Sequence, residues 1–242
     1  MRRFMIGVAV LVVLIVGATA STEVHASGMV WNAATDFSGV NNPNGVWSYG
    51  KIANSDGAFT LLSQQYAPPG NPPGYYLWNY PADGLSIAEN TTNSQIVLGY
   101  YNNVVVPAHT LTMSPGAPGS GHSMYSDLRW TTPVSGLYSI NAIFAGSDTH
   151  GVTTDCHVLY NGVSHYNGNI LHYTDSLSFS DYQSFNAGDM IDVRVGDGGN
   201  DQIYDTTRVG LTITAVPEPS TLALLGVGTI GLIGWAWRRR RA

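Results

Sequence analysis

Val158-Leu159-Tyr160-Asn161-Gly162-Val163-Ser164-His165-Tyr166 is the stretch that decides the fold class. Two runs of strand-forming residues flank Asn161-Gly162, and Asn-Gly readily takes the positive φ values that a two-residue hairpin turn requires. The stretch reads as two antiparallel strands folded back on each other. A second Asn-Gly, Asn167-Gly168, follows at once and reads as a further turn. Working outward, Tyr138, Ile140, Ala142 and Phe144 fall on one face of a strand. Ile191, Val193 and Val195 do so in another, and Val209, Leu211 and Ile213 in a third. Polar residues dominate the opposite faces, the period-2 signature of half-buried strands. Thr132-Pro133-Val134-Ser135-Gly136 and Asn186-Ala187-Gly188-Asp189 supply turns before two of these strands. No stretch keeps a helical period. The domain is all-β, and short strands spaced about 8 to 12 residues apart suggest one β-sandwich of jelly-roll type rather than a propeller.

Two textures divide the interior. Residues 28–121 are rich in Asn, Pro, Gly and Tyr, with Ala67-Pro68-Pro69-Gly70-Asn71-Pro72-Pro73-Gly74 reading as a stiff surface loop. Residues 122–216 alternate more cleanly but read as too few strands for two full sheets. One sandwich over residues 27–216 with a loop-rich first half is therefore expected; two small domains split near Pro115 to Gly121 are the alternative.

Both ends read as addresses. Met1-Arg2-Arg3 is a positive start, Phe4 to Gly17 is almost unbroken apolar sequence, and small residues follow at Ala18-Thr19-Ala20 and Val24-His25-Ala26. This is the pattern of a secretory signal peptide over residues 1–26, with cleavage after Ala20 or, better spaced, after Ala26. At the other end stand Pro217-Glu218-Pro219, an apolar span from Thr221 to Trp237, and Arg238-Arg239-Arg240-Arg241. As a helix the span would measure about 25 Å, enough for a thin bilayer. The arginines would hold the tail on the cytoplasmic side, with the bulk of the chain outside. Gly226, Gly228, Gly231 and Gly234 would let another membrane helix approach closely.

Those three parts in that order closely resemble the PEP-CTERM sorting signal of Gram-negative bacteria, also known as the C-terminal domain of some ice-binding proteins. The resemblance covers residues 216–242. In that family the signal is read by exosortase, an integral-membrane cysteine protease. The resemblance thus implies that Pro217, Glu218, Pro219, Arg238, Arg239, Arg240 and Arg241 are recognition elements, while the catalytic residues belong to the partner. Prolines hold an extended backbone of the shape a protease cleft accepts, with Glu218 as the recognised charge.

Charge narrows the function. Charged residues make up 11% of the chain, against about a quarter in an average soluble domain. Residues 27–216 hold four cations, Lys51, Arg129, Arg194 and Arg208, against fourteen acids, a formal charge near −10 that disfavours nucleic acid as a partner. The single Cys156 excludes an intramolecular disulfide framework and reads as a small buried residue.

Trp47, Tyr49, Tyr75, Tyr76, Trp78 and Tyr80, with Asn79 and Asp83 nearby, are the raw material for glycan contact, because flat rings stack on the C–H faces of sugars and amides pair with hydroxyls. The competing reading makes Trp47 and Trp78 core and the tyrosines cover for sheet edges. Asp197, Asp201 and Asp205, with Asn200, place oxygen ligands on one turn and are candidates for calcium, without the spacing of any known loop; otherwise they form a solvated Asp/Gly turn. His150, His157, His165 and His172 are spaced for neighbouring strands but need three or four converging ligands to hold zinc. Gly-x-Ser-x-Gly, His-Glu-x-x-His and phosphate-loop patterns are missing. Asp148 and Asp155 are the nearest thing to an acid pair.

The interior also resembles secreted β-sandwich proteins that carry this tail and, in general appearance, carbohydrate-binding modules. The expectation is an exported protein, anchored briefly in the inner membrane, processed by an exosortase-like enzyme and placed at the cell surface or in extracellular polysaccharide. Its mature domain is expected to be a structural or glycan-binding module, not an enzyme, and to need no cofactor unless calcium. A secreted carbohydrate-active enzyme is the alternative. An ice binder is the third reading, and regular Thr-x-Thr arrays that would favour it are missing.

Overall fold

A computed structural model describes residues 28–53, 57–66, 72–80, 82, 84–119, 122–217, 228–230, 232 and 237–239. The expected signal peptide, most of the expected span 221–237, Glu218, Pro219, Arg240 and Arg241 lie outside them. Among the described residues no helix is long and apolar enough to cross a membrane.

The chain is built of strands: β1 (Val30–Asn32), β2 (Trp47–Ala53), β3 (Thr60–Leu61), β4 (Gln64–Tyr66), β5 (Tyr75–Tyr80), β6 (Leu85–Asn90), β7 (Ile96–Leu98), β8 (Val104–Val106) and β9 (Thr110–Ser114). Then follow β10 (Gly116–Gly119), β11 (His122–Thr131), β12 (Gly136–Gly146), β13 (Thr154–Tyr160), β14 (Val163–Ile170), β15 (Ser176–Phe185), β16 (Met190–Gly196) and β17 (Thr207–Val216). One sheet runs β15-β12-β17-β9-β6-β5-β4, with β1 also paired to β17; the other runs β14-β13-β16-β11-β2-β3, with β10 on β11. All pairings are antiparallel.

The order β9-β17-β12-β15 facing β11-β16-β13-β14 is the winding of a jelly roll. Residues 122–216 supply four strands of the second sheet but three of the first, which β9 from the first half completes. The first half also adds β6-β5-β4 to one sheet and β2-β3 to the other.

Alternation does the sorting. Tyr138, Ile140, Ala142 and Phe144 are all fully buried, facing Ile191, Val193 and Val195 across the sandwich. Asn161 and Gly162 take φ values of 49° and 80°, so the β13–β14 hairpin turns where the dipeptide dictates. Asn167-Gly168 does not turn. It lies within β14 opposite Cys156 and His157, where a Cβ on Gly168 would come 2.8 Å from the ends of the Leu177 and Tyr166 side chains. Cys156 is buried, and burial pushes its thiol up to about 12, which leaves it unreactive.

A second, smaller core lies on the outside of the first sheet. The hairpin β7–β8 covers Tyr75, Leu77 and Ala88 with Ile96 and Val106. Its position fixes the loops of the candidate site described below.

Core and surface on one strand give a direct test. Phe144→Ala is expected to cost about 3–5 kcal/mol in urea unfolding, since it leaves a cavity between the sheets. Its neighbour Ile143, 53% exposed, should change stability by no more than about 0.5 kcal/mol when cut to Ala. Equal effects would contradict the strand register.

Candidate functional site

The six rings singled out in the sequence do not form one platform. Trp47 and Tyr49 point inward from β2, and Trp78 points inward from β5 in the opposite sheet. Their polar atoms are already used: Trp47 Nε1 donates to Asp36 at 3.1 Å, and Trp78 Nε1 donates to the Ser38 carbonyl at 2.7 Å. Tyr75 lies under the β7–β8 hairpin with its hydroxyl 3.2 Å from Thr112. These four are core, a correction whose cause is strand alternation: a cluster in sequence is split between opposite faces. Tyr76 and Tyr80 keep partial exposure, and the Lys51 ammonium covers the Tyr80 ring.

A different aromatic group is on the surface, where three loops meet at one end of the sandwich. Tyr100 and Tyr101 sit at the β7–β8 tip, His150 between β12 and β13, and Tyr204 between β16 and β17. Ring centroids are 4.9 Å apart from Tyr100 to Tyr101, 5.6 Å from Tyr101 to His150 and 5.3 Å from His150 to Tyr204. The last two pairs lie within 30° of parallel. Tyr100 is 92% exposed and Tyr101 58%.

Buried hydrogen bonds hold this row. Val105 N–H donates to the Ser147 carbonyl at 2.8 Å, and the Ser147 hydroxyl returns a bond to the Val105 carbonyl at 2.7 Å. Asp148, almost fully buried, accepts from the Asn103 amide and, at 2.8 Å, from the His150 N–H. Tyr204 has a φ of 69°, a backbone conformation that bulky residues avoid unless their surroundings enforce it.

The Asp197–Asp205 turn lies beside the row. Asp197 Oδ1 accepts from the Gly199 N–H at 3.0 Å, and Asp201 Oδ1 from the Ile203 N–H at 2.9 Å. Asp205 accepts from the Thr153 N–H at 2.7 Å and from its hydroxyl. Burial pushes Asp205 up to about 7, with Asp197 and Asp201 adding to the rise and Thr153 opposing it. The carboxylates therefore brace the turn. Among the described residues no three His, Cys, Asp or Glu side chains converge on a metal position, which corrects the calcium expectation and leaves the four histidines apart as well. Asp148 and Asp155 are likewise occupied separately, the latter by Tyr125, His157 and the Gly198 N–H.

The outward face of the second sheet carries a polar lattice. Arg129 grips Asp192 through two bonds of 2.6 and 3.0 Å, and Arg194 bridges Asp127 at 2.8 Å and Asp192 at 3.2 Å. His157 Nε2 lies 2.6 Å from Asp155, to which the Tyr125 hydroxyl also donates at 2.8 Å. Beside them a cavity of about 230 Å³ is lined by Tyr125, His157, Leu159, Ser164, Asn167 and Arg194, with Gly162. Mutual pairing of these groups makes the lattice a covering for the sheet.

Residues 215–241 match the PEP-CTERM protein-sorting motif. No curated protein matches the chain. Solved structures of similar shape include the CBM51 of Clostridium perfringens GH95 in complex with methyl-galactose. That match has a TM-score of 0.35 and 10% identity, over 68% of this chain and 99% of that one. A family 35 carbohydrate binding module from Clostridium thermocellum matches with a TM-score of 0.27 and 14% identity, over 69% and 97% of the two chains. The arabinose-bound MgGH51 α-L-arabinofuranosidase matches at 0.36 and 10%, over 68% of this chain and 26% of that one. No residue correspondence follows at such identities.

Buried titrating groups set a pH dependence. Burial pushes Glu89 up to about 7. Burial and the neighbouring Asp192 carry Asp127 up to about 8, against the pull of Arg194 and Arg129. Raised acids hold protons more tightly in the fold, so the stability they add falls as pH rises from the usual carboxylate range, about 4, through those values. Burial lowers His157, but its bonds to Asp155 and Asn167 outweigh that and the net shift is upward. Its contribution is complete below about 6.5 and is lost as pH rises through the folded value. Burial raises Asp155, but bonds from His157, Gly198 and Tyr125 outweigh it and the net shift is downward, so its contribution is lost only in acid. The melting temperature should be highest at about pH 4 and decline toward pH 9, with a shallower decline in Asp127→Asn. A melting temperature rising toward pH 9 would contradict this electrostatic picture.

Proposed function

We propose that the chain is an exported, non-catalytic glycan-binding module, delivered by its signal peptide, held by its C-terminal span and processed near Pro217-Glu218-Pro219 by an exosortase-like protease. The observation that carries the binding half is the exposed row Tyr100, Tyr101, His150 and Tyr204, fixed from beneath by Asp148 and Ser147. Rings spend no binding energy on becoming ordered when their loops are already hydrogen-bonded, and their faces suit the C–H side of sugars. Exposed neighbours Asn200 and Asp201 offer donors and acceptors for hydroxyls.

The sorting half is supported by the motif over residues 215–241 and by where Pro217 falls. β17 ends at Val216, and Pro217 is the first exposed residue after it. A cut at or beyond Pro217 would leave every strand pairing intact.

Retention of the purified protein on extracellular polysaccharide, followed by sizing of the recovered glycan, tests the binding half. Saturable retention with unchanged glycan size is expected. Tyr101→Ala and Tyr204→Ala should each weaken it by about two- to tenfold, the worth of one aromatic contact. Shortened glycan would mean an enzyme, and retention indifferent to both variants would remove the row from the site. For the sorting half, Glu218→Gln is expected to slow removal of the tail in a host that carries exosortase, read as the mass of the released protein; unchanged processing would remove the charge from recognition.

A further inference from the structure

The outward face of the first sheet holds a concavity of about 390 Å³, beside the turn that precedes β9 and above β12 and β17. Its walls include Pro107, His109, Thr110, Thr35 and Ile143, with Arg208 among them. None of its lining residues is acidic.

Arg208 differs from the other arginines of the sandwich. Arg129 and Arg194 are locked to Asp192 and Asp127. Arg208 forms no ion pair among the described residues, and its Nε is buried with no hydrogen-bond partner. Its guanidinium lies 5.6 Å from the centroid of Tyr173, a ring contact that leaves the donor edge unused. Residues 27–216 carry fourteen acids against four cations, so an arginine without a carboxylate partner is conspicuous. A desolvated donor of this kind is costly unless something accepts from it.

The geometry points to a ligand that brings its own carboxylate. A planar guanidinium edge matches a carboxylate through two parallel bonds. Ile143, Ala145 and Pro107 offer apolar wall, while Thr35, Thr110 and His109 offer groups for hydroxyls. We propose that the Arg208 concavity binds the carboxylate of a uronic acid unit in an acidic polysaccharide. The sugar half of this assignment rests on the glycan-binding reading; the anion half rests on Arg208 alone. The domain's negative charge does not forbid it, because physiological salt screens charges beyond about 8 Å and the contact is local.

Equilibrium titration of the purified full-length chain with glucuronate, glucose, acetate and sulfate, at constant ionic strength, tests it. Glucuronate should bind saturably, with glucose, acetate and sulfate each weaker by about tenfold or more. Arg208→Gln should lower glucuronate affinity by a similar factor without moving the melting temperature, and Arg208→Lys should fall between. The Tyr101→Ala and Tyr204→Ala variants should keep glucuronate affinity. Equal binding of glucose and glucuronate, or an unaffected Arg208→Gln, would overturn the role of Arg208. Acetate or sulfate binding as tightly as glucuronate would make this a simple anion site and overturn the sugar assignment. Absence of saturable glucuronate binding would overturn the proposal whole. If glucuronate binding depends on Arg208 while no glycan responds to the tyrosine variants, the loop reading fails and this one stands.

Discussion

Large rings between the two sheets hold the sandwich, and most other features follow from where they sit. Trp47, Trp130, Tyr138 and Phe144 are at most 1% exposed. Trp130 meets Tyr138 edge-on at 5.2 Å and Trp31 at 5.4 Å, the arrangement aromatic quadrupoles favour. Sheets packed this way stay about 10 Å apart, and only side chains at alternate positions can fill the gap. The strands therefore commit most of their large rings to the interior, and those they leave outside, such as Tyr182 on β15, stand apart from the row. The rings that gather at one surface, Tyr100, Tyr101, His150 and Tyr204, come from loops.

Alternation also dictates what each sheet presents outward, and the two sheets answer differently. The second sheet sends Asp127 and Arg129, Asp155 and His157, Asp192 and Arg194 to its open face, where register sets opposite charges side by side: Arg129 is paired with Asp192, and Arg194 with Asp127. Such pairs add little net stability relative to apolar residues, but a one-residue slip would break all of them together. Their stronger effect is to fix register. The first sheet instead hides part of its face beneath β7–β8 and leaves a hollow at Arg208. One face is electrostatically closed; the other keeps an unused donor.

What the sequence made legible follows the same division. Local signals with a backbone mechanism were readable: Asn161-Gly162 turned, and the alternating strands around Tyr138, Ile191 and Val209 buried the faces expected of them. Signals that depend on which face a strand turns inward were not. Trp47 and Trp78 were grouped with Tyr76 and Tyr80 by proximity, yet they belong to opposite sheets and face the core. Asn167-Gly168 had the composition of a turn, but the hairpin before it had already fixed the pairing of β14. The surface row joins loops at residues 100, 150 and 204, so only the topology assembles it. Its one local hint was a Tyr pair in a Gly- and Asn-rich turn, with Gly99 and Asn102 both at positive φ.

The path of β17 relates the two ends of the proposed function. β17 runs from Thr207, just after the aromatic row and its acidic turn, to Val216, the residue before Pro217-Glu218-Pro219. Ten extended residues separate those points by about 30 Å. β1 pairs beside the far end, with Val30 opposite Thr214 and the Gly28 N–H bonded to the Ala215 carbonyl. The start of the described chain and its exit toward the tail thus lie at one pole of the sandwich, and the exposed rings at the other. While the tail remains in a membrane, as proposed, the strand that leads into it would hold the binding loops outward. β17 lies between β12 and β9 inside the sheet, so any pull on the tail meets two ladders of backbone hydrogen bonds before it reaches the site. Anchoring at one pole and binding at the other are compatible because a central strand, not a loop, connects them.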